Sequence, residues 1–428
     1  MKAEEASPIE EASLNEKPNL VVVGGGKVTP IPANSGWKDR LLKAGKRPEK
    51  VITNALIPLR EAPQLKGLLS FDGEKLATVF NRAPPWDRDS DWKPRYWKDN
   101  DDIHFVEWLQ RHQIMISHKL AGNAAESVAQ DHTFYPIKEY LLGLEWDGKP
   151  RIDTWLEDFL GVESSEYISA IGPRWLISAV ARIMEPGCKA DCMLILEGPQ
   201  GSQKSTAIMA LASKKWFTDE IRNLNSKDTL ISLAGPWIIE FGDLEGFKGN
   251  SVETLKAFLS RSVDYFRPLY GRRASDNPRR CVFAGSTNKE SYLEDSSGNR
   301  RFWPVKCGKI DVAGLEKTRD QIWAEAYAHF QAGFPHWLET PELQRLALQA
   351  QDERYVVDPW EEIVQVEITE ECKEISTSEV LEDILKLDSR RCGRIEEARL
   401  AKVFQHMGWV KIRFRSGPNK DKRGYRRG

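Results

Sequence analysis

Apolar residues recur along this chain in two rhythms, one helical and one of short continuous runs, separated by polar stretches. Residues 1–35, rich in Pro, Gly, Glu and Ser, hold neither rhythm and predict a disordered arm. From about 38 to 131 the pattern is helical with polar breaks. "NALIPLREAPQLKGLLSFD" predicts a helix and then a short strand. In "DDIHFVEWLQRHQ", Ile103, Val106, Trp108 and Leu109 fall at helical spacing behind the capping acids Asp101 and Asp102. "AGNAAESVAQDH" predicts another helix. Helical spacing resumes over 136–181, interrupted by the turn signal "WDGKPRID".

At Asp191 the rhythm changes. "CMLILEG" is a short apolar strand, followed by a Gly-rich loop and a helical "KSTAIMALA". Further apolar strands begin near Trp237 ("PWIIEFGD"), near Arg280 ("RCVFAGSTN") and after Arg301 ("FWPV"). Strands alternating with helical stretches predict an α/β fold with a mostly parallel sheet covered on both faces. Beyond 335, "TPELQRLALQAQDERYVVDPWEEIVQ" predicts a helix and a linker. The end of the chain predicts helices at 377–387 and 395–406, a strand "WVKIRFR", a turn "SGPNKDKRG" and a tail "YRRG". The expected organisation is an arm (1–37), a mostly helical domain (38–170), an α/β domain (171–345), a linker (346–374) and a C-terminal domain (375–428). No internal repeat is visible.

Composition narrows the class. The chain has 428 residues, 40% of them hydrophobic, and a formal net charge of −2, so a sizeable core is expected and net charge alone names no partner. Of six cysteines only Cys188 and Cys192 are close in sequence. No second pair or nearby His completes a zinc set, so reduced thiols are expected. The first residues are acidic with no apolar segment after a basic start, unlike a signal peptide. The longest apolar runs are far too short to span a membrane. A soluble, cytoplasmic protein with no membrane partner is expected.

Between the first apolar strand and the following helix stands "GPQGSQKS". It matches the phosphate-loop pattern G-x-x-x-x-G-K-[ST] except that Gln203 replaces glycine. Such a loop holds phosphates through backbone N–H groups and the positive end of the next helix. The candidate nucleotide-binding residues are Gly198, Pro199, Gln200, Gly201, Ser202, Gln203, Lys204, Ser205 and Thr206. Lys204 is expected on the β- and γ-phosphates of ATP, and Ser205 on Mg²⁺. A side chain at 203 is tolerable if its φ is negative and it points outward. "WIIEFGDLEGF" supplies the carboxylates that an ATPase needs for Mg²⁺ and for polarising water. Asp243 is ranked first, for the metal, Glu245 second, for water, and Glu240 third. Asn288, at the end of the third strand, suits a water-orienting or γ-phosphate contact. Arg300 and Arg301 can reach a neighbouring subunit's γ-phosphate.

Two basic stretches suggest nucleic acid. From 261 to 280 there are six Arg and two Asp, with Tyr265, Phe266 and Tyr270 interleaved, around a turn that looks like a hairpin tip. Arginines and aromatics together suit phosphates and stacked bases of a single strand. The candidates are Arg267, Tyr270, Arg272 and Arg273. From 408 to 428 there are eight Lys or Arg and one Asp, a local charge of 8 − 1 = +7. Two helices followed by a basic two-stranded wing is a winged-helix pattern, with Lys411, Arg413, Lys422 and Arg423 as candidate DNA contacts.

Taken jointly, "WLISAVARIMEPGCKADCMLILEGPQGSQKST", "WIIEFGDLEGF", "LKAFLSRSVDYFRPLYGRR" and "GNRRFWPV" resemble the virulence-associated E family of phages and genomic islands, as does the upstream "YPIKEYLLGLEWDGKPRIDTWL". The resemblance covers roughly residues 50 to 340. It implies an AAA+-like P-loop ATPase core related to superfamily 3 helicases, flanked by a helical N-terminal region and a small winged-helix-like domain. It implies a hexameric ring that hydrolyses ATP with Mg²⁺ between subunits and moves on single-stranded DNA in replication. By position, Lys204 and Ser205 match the nucleotide loop, Asp243 the second acidic motif, Asn288 the sensor, Arg300 or Arg301 the arginine finger and 267–273 the pore loop. Relatives usually carry Gly where this chain has Gln203. The alternatives are a non-catalytic DNA-binding and oligomerisation scaffold and, more weakly, a small-molecule kinase.

Overall fold

In the computed structural model the described residues are 36–428 apart from 88, 222, 225, 243–251, 269–272, 294–298, 370, 389, 391, 417 and 418. They divide into two compact units, 36–67 with Asp99–Ala125, and Leu68–Lys98 with Glu126–Gly428.

The first unit holds the antiparallel pair β1 (Lys43–Ala44) and β2 (Arg47–Pro48), the helices α1 (Thr53–Glu61) and α2 (Asp99–Arg111), and the start of α3 (His118–Gln130). Asn54 is fully buried. Its amide donates to the carbonyls of Leu42 (2.8 Å) and Glu49 (2.9 Å) and its oxygen accepts from the Leu42 N–H (2.9 Å). A buried amide satisfied on both sides ties the hairpin to the helix. On α2 the inward face is Phe105, Trp108 and Leu109, while Ile103 is 62% exposed. That corrects the expected stripe: the helix starts at Asp99, two residues early, and Phe105 takes the inward place.

In the second unit a small sheet runs β5 (Arg95–Tyr96), β4 (Ala77–Phe80), β3 (Leu69–Asp72), β6 (Thr133–Phe134). Buried Glu74 accepts the first amides of α4 (Pro136–Leu142), from Ile137 (2.8 Å) and Lys138 (3.2 Å), and so caps that helix. Helices α5 (Trp155–Leu160) and α6 (Glu166–Met184) follow, as the pattern over 136–181 predicts.

The central sheet is built from β7 (Met193–Glu197), β8 (Phe217–Thr218), β9 (Ile238–Phe241), β12 (Val282–Thr287) and β13 (Phe302–Lys306) in the order β13-β7-β12-β9-β8, every pair parallel. All residues of β7, β9 and β12 are buried, which explains their unbroken apolar runs. Alternate side chains feed two cores. Leu194 and Leu196 join Trp175, Ile208, Leu211, Trp237, Trp303 and Trp323, which belong mostly to α6, α7 (Lys204–Ala212) and α10 (Val312–Gln331). Met193 and Ile195 join Ile239, Phe241, Phe283, Phe302 and, from α9 (Val252–Leu259), Phe258. The two-residue edge strand β8 follows "KKW", too short for the hydrophobic pattern to reveal. Helix α8 (Lys227–Ser232) lies between β8 and β9 in sequence. Strands β10 (Val263–Phe266) and β11 (Ser275–Pro278) form the expected hairpin.

Beyond the sheet lie α11 (Pro341–Asp352) and α12 (Pro359–Glu367). The sequence expectation made the α12 region a linker. Asp358 caps it through the Trp360 N–H (2.9 Å), and Val364 enters the last core. That core gathers Val380, Leu381, Leu400, Phe404, Trp409 and Tyr425 beneath a sheet of β14 (Glu374–Ser376), β16 (Arg423–Arg427) and β15 (Trp409–Arg413), beside α13 (Arg394–His406) and a short helix of π geometry, Glu379–Ile384. The tail "YRRG" is therefore strand. Tyr425 stacks on Phe404 (4.1 Å, 6°), so its burial pays for ordering the chain end.

Trp237 lies at the centre of the first of the two sheet cores. It is fully buried, stands 4.1 Å from Trp323 and donates its indole N–H to the Ala179 carbonyl (2.9 Å). Trp237→Ala is expected to destabilise the protein by about 3–5 kcal/mol in urea unfolding, more than exposed Trp337→Ala, which is expected to be near neutral.

Candidate functional site

The parallel strands β7, β9 and β12 end side by side, and the polar residues of the second unit's open cleft gather at these ends. The cleft, of about 490 Å³, is lined by residues 200–206, Gly242, Ser286, Thr287 and Asn288. Residues 198–203 link β7 to α7. Gly198 (φ +154°) and Gly201 (φ +81°) adopt backbone conformations that other residues rarely reach, which explains glycine at these two positions. The first amides of α7 have no carbonyl one turn earlier to bond and point the helix's positive end at the cleft.

Lys204 opens α7, and only 7% of it is exposed. Its ammonium donates to the carbonyls of Gly198 (2.8 Å) and Pro199 (2.9 Å), to Ser202 Oγ (3.2 Å) and to Asn288 Oδ1 (3.4 Å). These four acceptors are all neutral. Burial pushes the Lys204 pKa down, and the nearby Cys307 and Glu240 oppose that shift. Ser205 Oγ donates to Glu240 Oε1 (2.7 Å). Glu240 is fully buried in β9, and among the described residues its other oxygen has no hydrogen-bond partner. Burial pushes the Glu240 carboxyl up, offset by Ser286, Ser205 and, at longer range, Lys204. A hydroxyl and a buried carboxylate with a spare oxygen fit a hard divalent cation, so the residues present suit Mg²⁺.

The structure thus brings together Lys204, Ser205 and Asn288, and adds Glu240, which the sequence ranking put third. The signal for it was present: a carboxylate inside an apolar strand is costly unless something needs it there. Asp243 and Glu245 lie outside the described residues. Gln203 has φ +66° and ψ +21°, which overturns the expectation of a negative φ. It occupies the left-handed region at a steric cost of about 1–2 kcal/mol that glycine escapes.

Arg300 and Arg301 lie on one turn, Asn299–Arg301. Both approach Asp191 (4.0 and 3.7 Å), and Arg301 also donates to Ser260 Oγ (2.7 Å). The Arg300 side chain is 67% exposed, against 18% for Arg301. Arg267 and Arg273 are exposed beside the β10–β11 hairpin, and Tyr270 and Arg272 lie outside the described residues. Beneath it, buried Arg279 grips Asp264 with two hydrogen bonds (2.6 and 2.9 Å) and fixes the hairpin's root. Lys411, Arg413, Lys422 and Arg423 are all exposed on or beside β15 and β16. Arg413 stands directly opposite Arg423 across the strands, and each has a carboxylate near it, Asp421 (4.0 Å) for Arg413 and Glu397 (3.3 Å) for Arg423.

A second polar cluster was not foreseen. Glu197, the last residue of β7, is buried and receives Arg354 Nε (2.9 Å) and Nη2 (3.0 Å) and the Tyr292 hydroxyl (2.7 Å). Burial, then Glu197, push the Tyr292 pKa up. No pattern links positions so far apart in sequence. Only Glu at the end of an apolar strand hinted at a partner.

The class defined by these observations is an α/β protein whose polar cleft lies at the ends of a parallel sheet. The chain belongs to the virulence-associated protein E-like family: the model of the virulence-associated protein E-like domain matches residues 141–356. No curated protein matches it. Among solved structures, an apo structure of the NrS-1 C-terminal region is similar at 12% identity with a TM-score of 0.46, covering 84% of this chain and 96% of the other. Two A-form apo structures of that region show 14% and 13% identity, each with a TM-score of 0.43 and the same coverage. Among the described residues no helix is long and apolar enough to cross a membrane.

Replacing Gln203 by Gly is expected to leave the fold intact and to raise stability by up to about 1 kcal/mol, because relief of left-handed strain exceeds the added chain entropy. Gln203→Val should destabilise. Thermal midpoints of the two variants check both signs.

Proposed function

We propose that this chain is a DNA-acting ATPase of the superfamily 3 helicase type, working in the replication of a phage or mobile element as a hexameric ring. The observation that carries the reading is a cleft lined by buried Lys204, Ser205 and Asn288, with Glu240 bonded to Ser205 behind it. An ammonium that among the described residues is held by carbonyl, hydroxyl and amide oxygens is ready to exchange them for phosphate oxygens. On this reading residues 198–206 form a phosphate loop, and the α7 amides and Lys204 hold the β- and γ-phosphates of ATP. Ser205 and Glu240 hold Mg²⁺, together with Asp243 as the sequence order suggests. The ion neutralises charge on the transferring phosphoryl group. Asn288, within reach of Lys204, orients the attacking water, and Glu245 is the candidate for polarising it. Arg300, the more exposed of its pair, is the better-placed residue to complete a neighbouring subunit's site, with Arg301 second.

The basic hairpin and the C-terminal segment supply the DNA contacts in this proposal. Arg267, Tyr270, Arg272 and Arg273 meet a single strand in the ring's pore. The segment from 375, read as a winged-helix-like domain, uses Lys411, Arg413, Lys422 and Arg423 on duplex phosphates. The left-handed Gln203 favours a second reading, a weakly catalytic scaffold that binds DNA and assembles without fast turnover.

Lys204→Ala is expected to lower ATP hydrolysis by on the order of 100-fold, with and without single-stranded DNA. Hydrolysis unchanged in that variant would sink the enzymatic reading, and nucleotide binding without DNA-stimulated hydrolysis in the wild type would favour the scaffold. The raised pKa of Glu240 gives a pH signature as well. Mg²⁺ requires the ionised carboxylate, so activity should fall on acidification at a higher pH than an exposed carboxylate would dictate. In Glu240→Gln the residual activity should lack that acid limb, which a pH–rate profile reads directly.

A further inference from the structure

We propose that Arg354 is a positioning residue that couples the phosphate-facing loop to the C-terminal segment, so that occupancy of one alters the order of the other. The inference rests on the nucleotide reading above and adds its regulation.

The coupling has two halves on adjacent residues. On one side, the Arg354 guanidinium takes both oxygens of Glu197, with side chains only 14% and 8% exposed. Glu197 immediately precedes Gly198, whose carbonyl is a Lys204 acceptor and whose N–H bonds the Thr287 carbonyl (3.2 Å). A shift of Glu197 therefore moves a ligand of the critical ammonium. The same clasp reaches the turn after Asn288. Tyr292 donates its hydroxyl to Glu197, the N–H groups of Tyr292 and Leu293 both bond the Arg354 carbonyl (3.0 Å each), and Val356 N–H returns to Leu293 (2.9 Å). Loop root and Asn288 turn are thus held by one residue.

On the other side, the Tyr355 ring lies flat on His406, 3.7 Å away at 16°. His406 ends α13 and its Nδ1 is 2.8 Å from buried Glu361 on α12. The neighbour of the loop clasp is therefore stacked on the helix that precedes the basic strands. Stability alone does not explain this choice of residues. A buried ion pair is frequently no better than an apolar pair of equal volume, whereas a bidentate fork fixes the geometry of both partners. Lysine, a point donor, cannot hold both Glu197 oxygens in one plane.

The test is hydrogen–deuterium exchange on the full chain, with and without Mg²⁺ and a non-hydrolysable ATP analogue. In the wild type, nucleotide should slow exchange on the order of tenfold at loop amides 201–206 and also at 354–358 and 403–406. In Arg354→Lys the loop should still respond while the response at 354–358 and 403–406 is lost. A purely structural Arg354 would lower the thermal midpoint and leave the distant response in place. Glu197→Gln, nearly isosteric, makes the same comparison if the lysine variant does not fold. Loop protection with no distant response in the wild type, or a distant response that survives both variants, overturns the coupling. No protection at the loop itself overturns the nucleotide reading and the coupling with it.

Discussion

A parallel sheet buried on both faces can offer chemistry only at its ends. The side chains of β7, β9 and β12 go to one of two cores or to the polar cluster at the strand ends. Because the strands run parallel, Glu197, Gly242 and Thr287 emerge on the same side, and the loop that leaves β7 meets the ends of β9 and β12. The two cores are thus what aim the cleft. Leu194 and Met193 face opposite ways, and a one-residue slip of β7 would exchange the cores and turn Glu197 into the wrong environment.

Much of this was legible in the sequence. Unbroken apolar runs marked β7, β9, β12 and β13, and a Gly-rich link before a helical stretch marked the loop. Local patterns carry such information because burial on both faces leaves no room for alternation. The same physics obscured Glu240: an apolar strand made its acid look misplaced, and Asp243 at the strand exit looked better suited. The structure buries Glu240 against Ser205, where helix α7 and β9 meet, and that is a tertiary fact. The pairing of Arg354 with Glu197 was invisible for a plainer reason, their separation along the chain. In the C-terminal segment the tail became β16 because Tyr425 packs on Phe404, a stabilisation that strand propensity alone does not register.

Gln203 shows a different limit. Pattern matching treats a mismatch as a yes-or-no matter, whereas the backbone prices it. At φ +66° the residue keeps its N–H in place and accepts a local penalty, and the surrounding strand and helix hold it there. Gln203 takes the left-handed backbone that glycine would take there, and Lys204 beside it keeps its four acceptors.

The facing arginines on β15 and β16 carry a consequence of their own. Arg413 and Arg423 face one another across the hairpin, each with one carboxylate in reach, Asp421 and Glu397, while exposed Lys411, Lys422 and Arg427 keep the local field positive. Dissolved salt screens that field beyond about a Debye length. Negative charge brought beside the hairpin therefore competes with Asp421 and Glu397 for the same two guanidinium groups.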